Sequence, residues 1–198
     1  MSIVVVGLGN IGAEYVQTRH NAGRMAVELF AKEYGEEDFS LRKTSHARVA
    51  TGSVAGKKVT CVLPETFMNV SGKAVTSFIK SPKMGKNLIV VHDDLDLPRG
   101  TVKISFGKNS GGHKGVESVM RAIKTKKFTR VRIGISGKTS RGNAKKPSGD
   151  AKVVKYVVGS FSPSEKLVLK KALKKAVQGI TLLITEGLEK AMLEVHTK

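Results

Sequence analysis

The chain has 198 residues, of which 40% are hydrophobic, so it is long enough for one globular domain with a sizeable core. Its formal net charge of +19 favours a polyanionic partner such as nucleic acid, although simple solubility is an alternative. Only 5% of the residues are aromatic, which argues for phosphate contacts rather than base stacking. No apolar run approaches the roughly 20 residues that span a bilayer, and a single cysteine excludes an internal disulfide.

The first predicted element is a short β-branched strand over residues 3–6, which is typical of a buried central strand. Three glycines follow it and fit the dinucleotide fingerprint: Gly7, Gly9 and Gly12. That fingerprint needs a helix opening directly on the glycines and an acidic residue about 20 positions later. Here the helical pattern begins only near residue 22, after a polar loop that carries Arg19 and His20. A dinucleotide site is therefore the weaker interpretation of this loop.

The next elements form a helix, a hairpin and a second polar loop. Apolar residues at helical spacing predict a helix over 22–34. Residues 46–53 and 58–63 predict a β-hairpin. The polar segment 64–72 leaves the second of these strands, and a helix with an apolar face over 70–79 follows it. Polar loops that leave buried strands are where α/β proteins place their sites.

The third buried strand, residues 87–91, continues into three carboxylates within four residues: Asp93, Asp94 and Asp96. Such crowding is costly unless the carboxylates meet a cation, a histidine or solvent. One of them could orient a histidine by accepting its ring N–H. The alternative interpretation is an acidic surface turn.

The C-terminal half carries most of the positive charge, because residues 121–175 hold 17 Lys or Arg and only 2 Asp or Glu. A strand over 102–106 precedes a glycine-rich basic loop, and that loop opens a helix whose N-terminus favours anions. After a strand over 131–135, residues 137–150 predict a mobile basic loop. A capping box with proline begins a helical region that occupies 163–198.

Strands and helices alternate throughout, so the sequence predicts one α/β domain over residues 1–198. We expect three layers, with a mixed, mostly parallel sheet and helices on both faces. The strand directly after the N-terminal Met-Ser, without a signal-peptide pattern, and the lone Cys61 lead us to expect a cytoplasmic protein. Nothing in the cysteine and histidine spacing suggests a metal site.

Five ordered motifs resemble the bacterial-type peptidyl-tRNA hydrolase family over nearly the whole chain. They are Gly7-Leu8-Gly9-Asn10 with Thr18-Arg19-His20-Asn21-Ala22-Gly23, Thr66-Phe67-Met68-Asn69-Val70-Ser71-Gly72, Asp93-Asp94-Leu95-Asp96-Leu97-Pro98, Gly111-Gly112-His113 and Arg132-Ile133-Gly134-Ile135. The resemblance implies hydrolysis of the ester that joins a peptide to the 3′ end of tRNA, without a metal or cofactor. It also implies a monomer with peptidyl-tRNA as partner and no membrane association.

The resemblance further implies that His20 is the general base that activates water and that Asp93 orients its imidazole. Positions expected to contact the substrate are Asn10, Tyr15, Phe67, Met68, Asn69, His113 and Lys114. Among these, Asn69 would hydrogen-bond the substrate near the scissile carbonyl, and Asn10 would help reject substrates with a free amino group. Lys103 and Arg132 would contact acceptor-stem phosphates. An ester of this kind is already activated, so a positioned water, one base and a few amide donors suffice.

Two positions depart from the family pattern. Ile11 stands where the family has proline, and Lys114 stands where it has asparagine after Gly-Gly-His. Lysine has donors but no acceptor, so we expect an altered affinity or rate. Lys114 and the high charge also leave open a non-catalytic RNA-binding relative that acts in RNA processing with a protein partner. Considered by themselves, His92 and His113 are interpreted as structural rather than catalytic.

Overall fold

The computed structural model describes residues 2–35 and 37–197. Its strands are β1 Ile3–Gly7, β2 Ser40–Arg42, β3 Ala47–Val54, β4 Lys57–Pro64, β5 Leu88–Pro98, β6 Val102–Phe106, β7 Thr129–Lys138 and β8 Ala144–Lys145. Its α-helices are α1 Ala22–Tyr34, α2 Gly72–Val75, α3 Lys114–Ile123, α4 Asp150–Val157, α5 Pro163–Thr185 and α6 Leu188–Thr197. None of the described helices is both long and apolar enough to cross a membrane.

The strands form one mixed sheet in the order β2-β3-β4-β1-β5-β7-β6, with β8 paired to β7. The four central strands β4, β1, β5 and β7 are parallel, whereas the outer pairs are antiparallel. One apolar core lies between the sheet and helices α1, α5 and α6, and a second lies under α2 and α3. The predicted fold class, an α/β sheet with helices on both faces, is confirmed.

Strand β5 is longer than the sequence pattern predicted. It continues past Val91 because β7 pairs with it as far as Asp94 and again, after an irregularity, at Pro98. The three carboxylates therefore lie on a strand rather than in a loop after it.

Three further differences concern helices and the basic loop. The helix predicted over 70–79 is short, because backbone N–H groups at residues 77 and 78 bond three residues back rather than four. Part of the basic loop 137–150 is a strand, since β8 pairs with the end of β7. Helix α4 was not predicted. Helices α5 and α6 lie within the helical region predicted over 163–198, and residue 198 lies outside the described residues.

A close contact between α1 and β5 brings the beginning of α1 onto the middle of the sheet. A Cβ added at Gly23 would lie 2.2 Å from the carbonyl oxygen of Val91 and 2.9 Å from the Cα of His92. Only glycine permits this approach. The residues that precede α1 therefore lie beside the residues that follow Val91.

The one cysteine lies inside the larger core. Cys61 belongs to β4, pairs in register with Val5 of β1 and is buried. Burial disfavours the thiolate and raises the pKa of Cys61 to about 12. Cys61 is therefore not a nucleophile for chemistry near neutral pH.

Candidate active site

The candidate site is a cavity of about 540 Å³ at the carboxyl end of β5. Its walls come from His20, from residues 93–96 of β5, from the glycine-rich loop at 110–114 and from six residues between 146 and 157. This is the edge of a parallel sheet at which α/β proteins place their ligands. The cavity brings together four of the predicted site residues: His20, Asp93, His113 and Lys114.

Asp93 is the centre of this site. Its buried carboxylate accepts hydrogen bonds from His20 Nδ1, at 2.9 and 3.0 Å to its two oxygens, and from His113 Nε2 at 2.9 Å. Burial alone would raise the pKa of Asp93, but the His20 and His113 imidazoles outweigh burial and hold the pKa well below its ordinary value. Asp93 is therefore an ionised acceptor at neutral pH.

His20 lies in the short turn Arg19–Asn21 that leads into α1. Burial lowers its pKa, but the Asp93 charge and hydrogen bond outweigh burial and raise the pKa above its ordinary 6.5. Because Asp93 accepts the Nδ1 proton, Nε2 carries the lone pair of the neutral ring. Nε2 makes no hydrogen bond to any residue within 2–35 and 37–197, which leaves it available to a water in the cavity.

His113 has its tautomer fixed by the helix that it caps. Its Nδ1 accepts hydrogen bonds from the backbone N–H groups of Gly115 at 3.1 Å and Val116 at 3.3 Å. The ring proton must therefore sit on Nε2, which donates it to Asp93. Gly111 and Gly112 both have positive φ angles and turn the loop so that His113 reaches this position. His113 thus orients Asp93 rather than offering a free base.

His92 is fully buried behind these residues. Its ring packs edge-on against His113 at 4.7 Å between centroids, and its Nδ1–H donates to the Asp93 carbonyl at 2.6 Å. Burial, followed by the nearby His113 and Arg130, lowers its pKa well below the ordinary value. His92 is therefore a neutral structural residue, as the sequence suggested.

Asn10 joins two loops instead of lining the cavity. Its side-chain oxygen accepts the Met68 N–H at 2.9 Å, and its backbone exchanges hydrogen bonds with the Asn21 side chain at 2.8 and 3.0 Å. Asn10 also lines a separate pocket of about 270 Å³ beside Arg24 and Glu65. It therefore holds the loop after β1 against the loop after β4.

The four remaining predicted contacts are not among the residues that line the cavity. Phe67 and Asn69 are exposed, Tyr15 is half-buried in the turn before His20, and Met68 is buried in the core under α3. Within the described part of the chain, the Asn69 side chain makes no hydrogen bond, so its amide is free for a ligand. Phe67 and Asn69 are therefore exposed to solvent, whereas Met68 is held by packing in the core.

The three predicted cationic contacts differ in how they are bound. Lys114 is 72% exposed at the cavity rim and lies 3.6 Å from Glu117. Arg132 Nε donates to Asp94 at 2.7 Å. Lys103 is exposed on β6, directly opposite Arg132 in register. Lys103 and Arg132 thus form a pair beside the cavity rather than inside it.

One wall of the cavity, formed by residues between 146 and 157, was not predicted from the sequence. Lys146 forms an ion pair with Asp96 across the cavity, and α4 contributes apolar side chains: Val153, Val154 and Val157. The spacing of these three valines was a helical signal in the sequence.

His20, Asp93 and His113 offer three potential metal-ligand atoms within 4.8 Å of one another. In this geometry, Asp93 Oδ1 already accepts both imidazole N–H groups. A metal ion on this set would have to displace those two hydrogen bonds. The arrangement fits a base–acid pair better than a ligand set.

Comparison with known proteins gives one consistent result. The family model described as peptidyl-tRNA hydrolase matches residues 4–198. The chain is 36% identical over 197 residues to the peptidyl-tRNA hydrolase of Syntrophotalea carbinolica, covering 98% of this chain and 97% of that one. It is 38% identical over 195 residues to that of Mycobacterium tuberculosis, covering 98% and 97%. The crystal structure of peptidyl-tRNA hydrolase from Acinetobacter baumannii superposes with a TM-score of 0.86 at 32% identity, covering 98% of this chain and 93% of that chain.

Proposed function

The chain belongs to the peptidyl-tRNA hydrolase family, and from that membership we propose how its own residues perform the reaction. The protein is a hydrolase that cleaves the ester bond between the peptide and the tRNA of peptidyl-tRNA, which recycles the tRNA. The observation that carries the mechanism is that His20 Nδ1 is bound to a buried, ionised Asp93 while His20 Nε2 is free at the cavity.

In the first step, His20 Nε2 takes a proton from a water molecule as the water oxygen attacks the ester carbonyl carbon. The imidazolium that forms is stabilised by Asp93, whose negative charge lies 2.9 Å from Nδ1. His113 Nε2 also donates to Asp93 Oδ1, so the carboxylate is already held in place before the imidazolium forms. The tetrahedral intermediate then collapses, and the imidazolium returns its proton to the departing ribose oxygen of the tRNA.

The amide of Asn69 donates to the carbonyl oxygen as negative charge develops there. Asn10 positions Asn69, because it binds the N–H of the preceding Met68, and its own amide N–H groups remain for the peptide or the tRNA end. Phe67 and Tyr15 line the approach of the terminal nucleotide. Lys103 and Arg132 contact acceptor-stem phosphates beside the cavity. Lys114 contacts the substrate at the rim of the cavity.

The test is single-turnover hydrolysis of an N-blocked aminoacyl-tRNA by the wild type and by His20→Ala, with unblocked aminoacyl-tRNA as the control substrate. We expect the wild type to release the blocked amino acid and the variant to lose this activity. Tight tRNA binding without release by the wild type would instead identify a non-catalytic RNA-binding protein.

We further propose that the protein acts in the cytoplasm as a monomer. The large positive charge supports this state, because equally charged copies repel one another. Light scattering at moderate salt would show a mass near 21.3 kDa, whereas a mass of twice that value would reject the monomer.

A further inference from the structure

The residue directly before His20 is bound to a distant part of the chain. Arg19 Nη2 forms an ion pair with Glu165 Oε2 at 2.8 Å, and Nη1 donates to the Tyr156 carbonyl at 3.3 Å. The guanidinium lies over two rings, 4.5 Å from the Tyr156 centroid and 5.4 Å from that of Phe161. Stacking and ion pairing together leave the Arg19 side chain little freedom.

The backbone of Thr18 and Arg19 is bound to the same part of the chain as the Arg19 side chain. The Arg19 N–H donates to the Gly159 carbonyl at 3.0 Å, and Thr18 forms an antiparallel bridge with Ser160. A Cβ added at Gly159 would lie 2.9 Å from Arg19 Nη1, so the Arg19 side chain packs closely against the Gly159 backbone. The turn that carries His20 is therefore fastened to the connection between α4 and α5.

The surface that receives Arg19 is itself held in place. Glu165 closes the capping box of α5 by accepting the Ser162 N–H at 2.7 Å, and Arg99 binds its other oxygen at 2.5 Å. The Tyr156 hydroxyl donates to the Ile135 carbonyl of β7 at 2.8 Å. Arg19 thus connects the turn, through α4 and α5, to the sheet that carries Asp93.

We propose that Arg19 is a positioning residue, which fixes the turn Arg19–Asn21 so that His20 Nδ1 meets Asp93. Both neighbours of His20 are held, because Asn21 on the other side binds the backbone of Asn10. The inference rests on the proposed function only in giving His20 the role of base. Arg19 does not line the cavity, so it acts through His20 and not on the substrate.

The experiment compares Arg19→Leu and Arg19→Lys with the wild type by two readouts, the single-turnover rate and an NMR pH titration of the His20 ring. For Arg19→Leu we expect the rate to fall about tenfold to a hundredfold, with substrate affinity within about twofold. The His20 titration should move to lower pH, because a looser Asp93 contact leaves burial to dominate. Arg19→Lys keeps the charge but loses the stack and should restore part of both effects.

Other groups near His20 are constant across these variants. They are the His113 ring at 4.9 Å, with His92 behind it, and the charged cavity residues Asp94, Asp96, Lys114, Lys146 and Asp150. The matched control is Lys57→Met, which removes another long-range bond, from Lys57 Nζ to the Ile184 carbonyl, far along the chain from His20. It should leave both readouts unchanged.

Unchanged rate and unchanged His20 titration in a folded Arg19→Leu variant would overturn the proposal, even if its melting temperature fell. Should that variant not fold, Glu165→Gln keeps the stack on Tyr156 and removes the negative charge that pairs with Arg19 and with Arg99. A smaller shift in the same direction is then expected, and no shift in either readout would overturn the proposal. A wild type without esterase activity, combined with a shifted His20 titration in the variants, would reject the proposed function but not the positioning role.

Discussion

Three carboxylates within four residues of β5 have three different surroundings. The Asp93 side chain is 2% exposed and is bound by two imidazoles, whereas Asp94 is 10% exposed and is bound by Arg132. Asp96 is 47% exposed and is paired with Lys146. Each carboxylate therefore has its own cationic or N–H partner.

The three residues are of the same type, so the difference in burial decides how much each carboxylate depends on its partner. An ion pair in water contributes about 0–1 kcal/mol, so the Asp96 pair can be lost cheaply. Removing one partner of a buried charged group is much more destabilising, because it leaves the other partner buried without compensation. The proposed chemistry uses Asp93, the carboxylate whose hydrogen-bond partners are two imidazoles rather than solvent.

Of the three carboxylates, replacing the buried Asp93 should lower the single-turnover rate most. In Asp93→Asn the amide can no longer accept as an anion from His20, and it does not stabilise the imidazolium. We expect a fall in the single-turnover rate of roughly 10³- to 10⁴-fold, measured on N-blocked aminoacyl-tRNA. A fall of less than about tenfold would show that His20 does not depend on Asp93.

The pH dependence of the rate should also differ between the wild type and Asp93→Asn. The base must be neutral, so the rate of the wild type should decline as the pH falls through the raised pKa of His20, above 6.5. Asp93→Asn removes the charge that raises the pKa of His20, whereas burial still lowers it. The acidic limb of the residual activity should therefore move to lower pH. A limb at the same pH in both proteins would mean that another group is being titrated.

The half-buried pair should affect binding rather than chemistry. Asp94→Asn removes the carboxylate that binds Arg132, so we expect tighter tRNA binding at low salt and a steeper dependence on salt. Arg132→Gln should weaken binding and reduce the slope of log affinity against log salt by about 1. These slopes are measured by filter binding, with Lys73→Gln on α2 as a control for the loss of one surface charge. Equal slopes in all four proteins would exclude Arg132 as a phosphate contact.

The exposed pair should matter least. Asp96→Asn breaks only the ion pair with Lys146, which solvent screens. We expect a change in the free energy of unfolding below about 1 kcal/mol and a rate within about twofold of the wild type. A tenfold loss of rate would instead show that the Lys146 contact closes the cavity during turnover.

Local patterns predicted the elements that bring His20 and Asp93 together. The buried strands and the apolar face of α1 are periodic in the sequence, and parallel strands bring their carboxyl ends to one edge. The extension of β5 could not be predicted in this way, because its acidic residues are compensated by Arg132 and the imidazoles from other parts of the chain. Long-range compensation leaves no local pattern.

His113 shows the same limit. From the residues alone it was interpreted as structural, and the family resemblance placed it near the substrate, but its bond to Asp93 depends on which nitrogen carries the proton. That choice is set by the backbone N–H groups of Gly115 and Val116, which exist only once α3 forms. Helix α4 was missed because it begins in a segment whose Gly, Ser and Pro content predicted a loop.

The buried Cys61 has a practical consequence for following this enzyme in solution. Because burial raises its pKa to about 12, its thiol is almost entirely protonated at neutral pH, and we expect it not to react with maleimides in the folded protein. A second cysteine placed on the exposed turn at Arg141 would then be the single site for a fluorophore or spin label. The native chain thus already provides the unreactive background that site-specific spectroscopy of the turn between β7 and β8 needs.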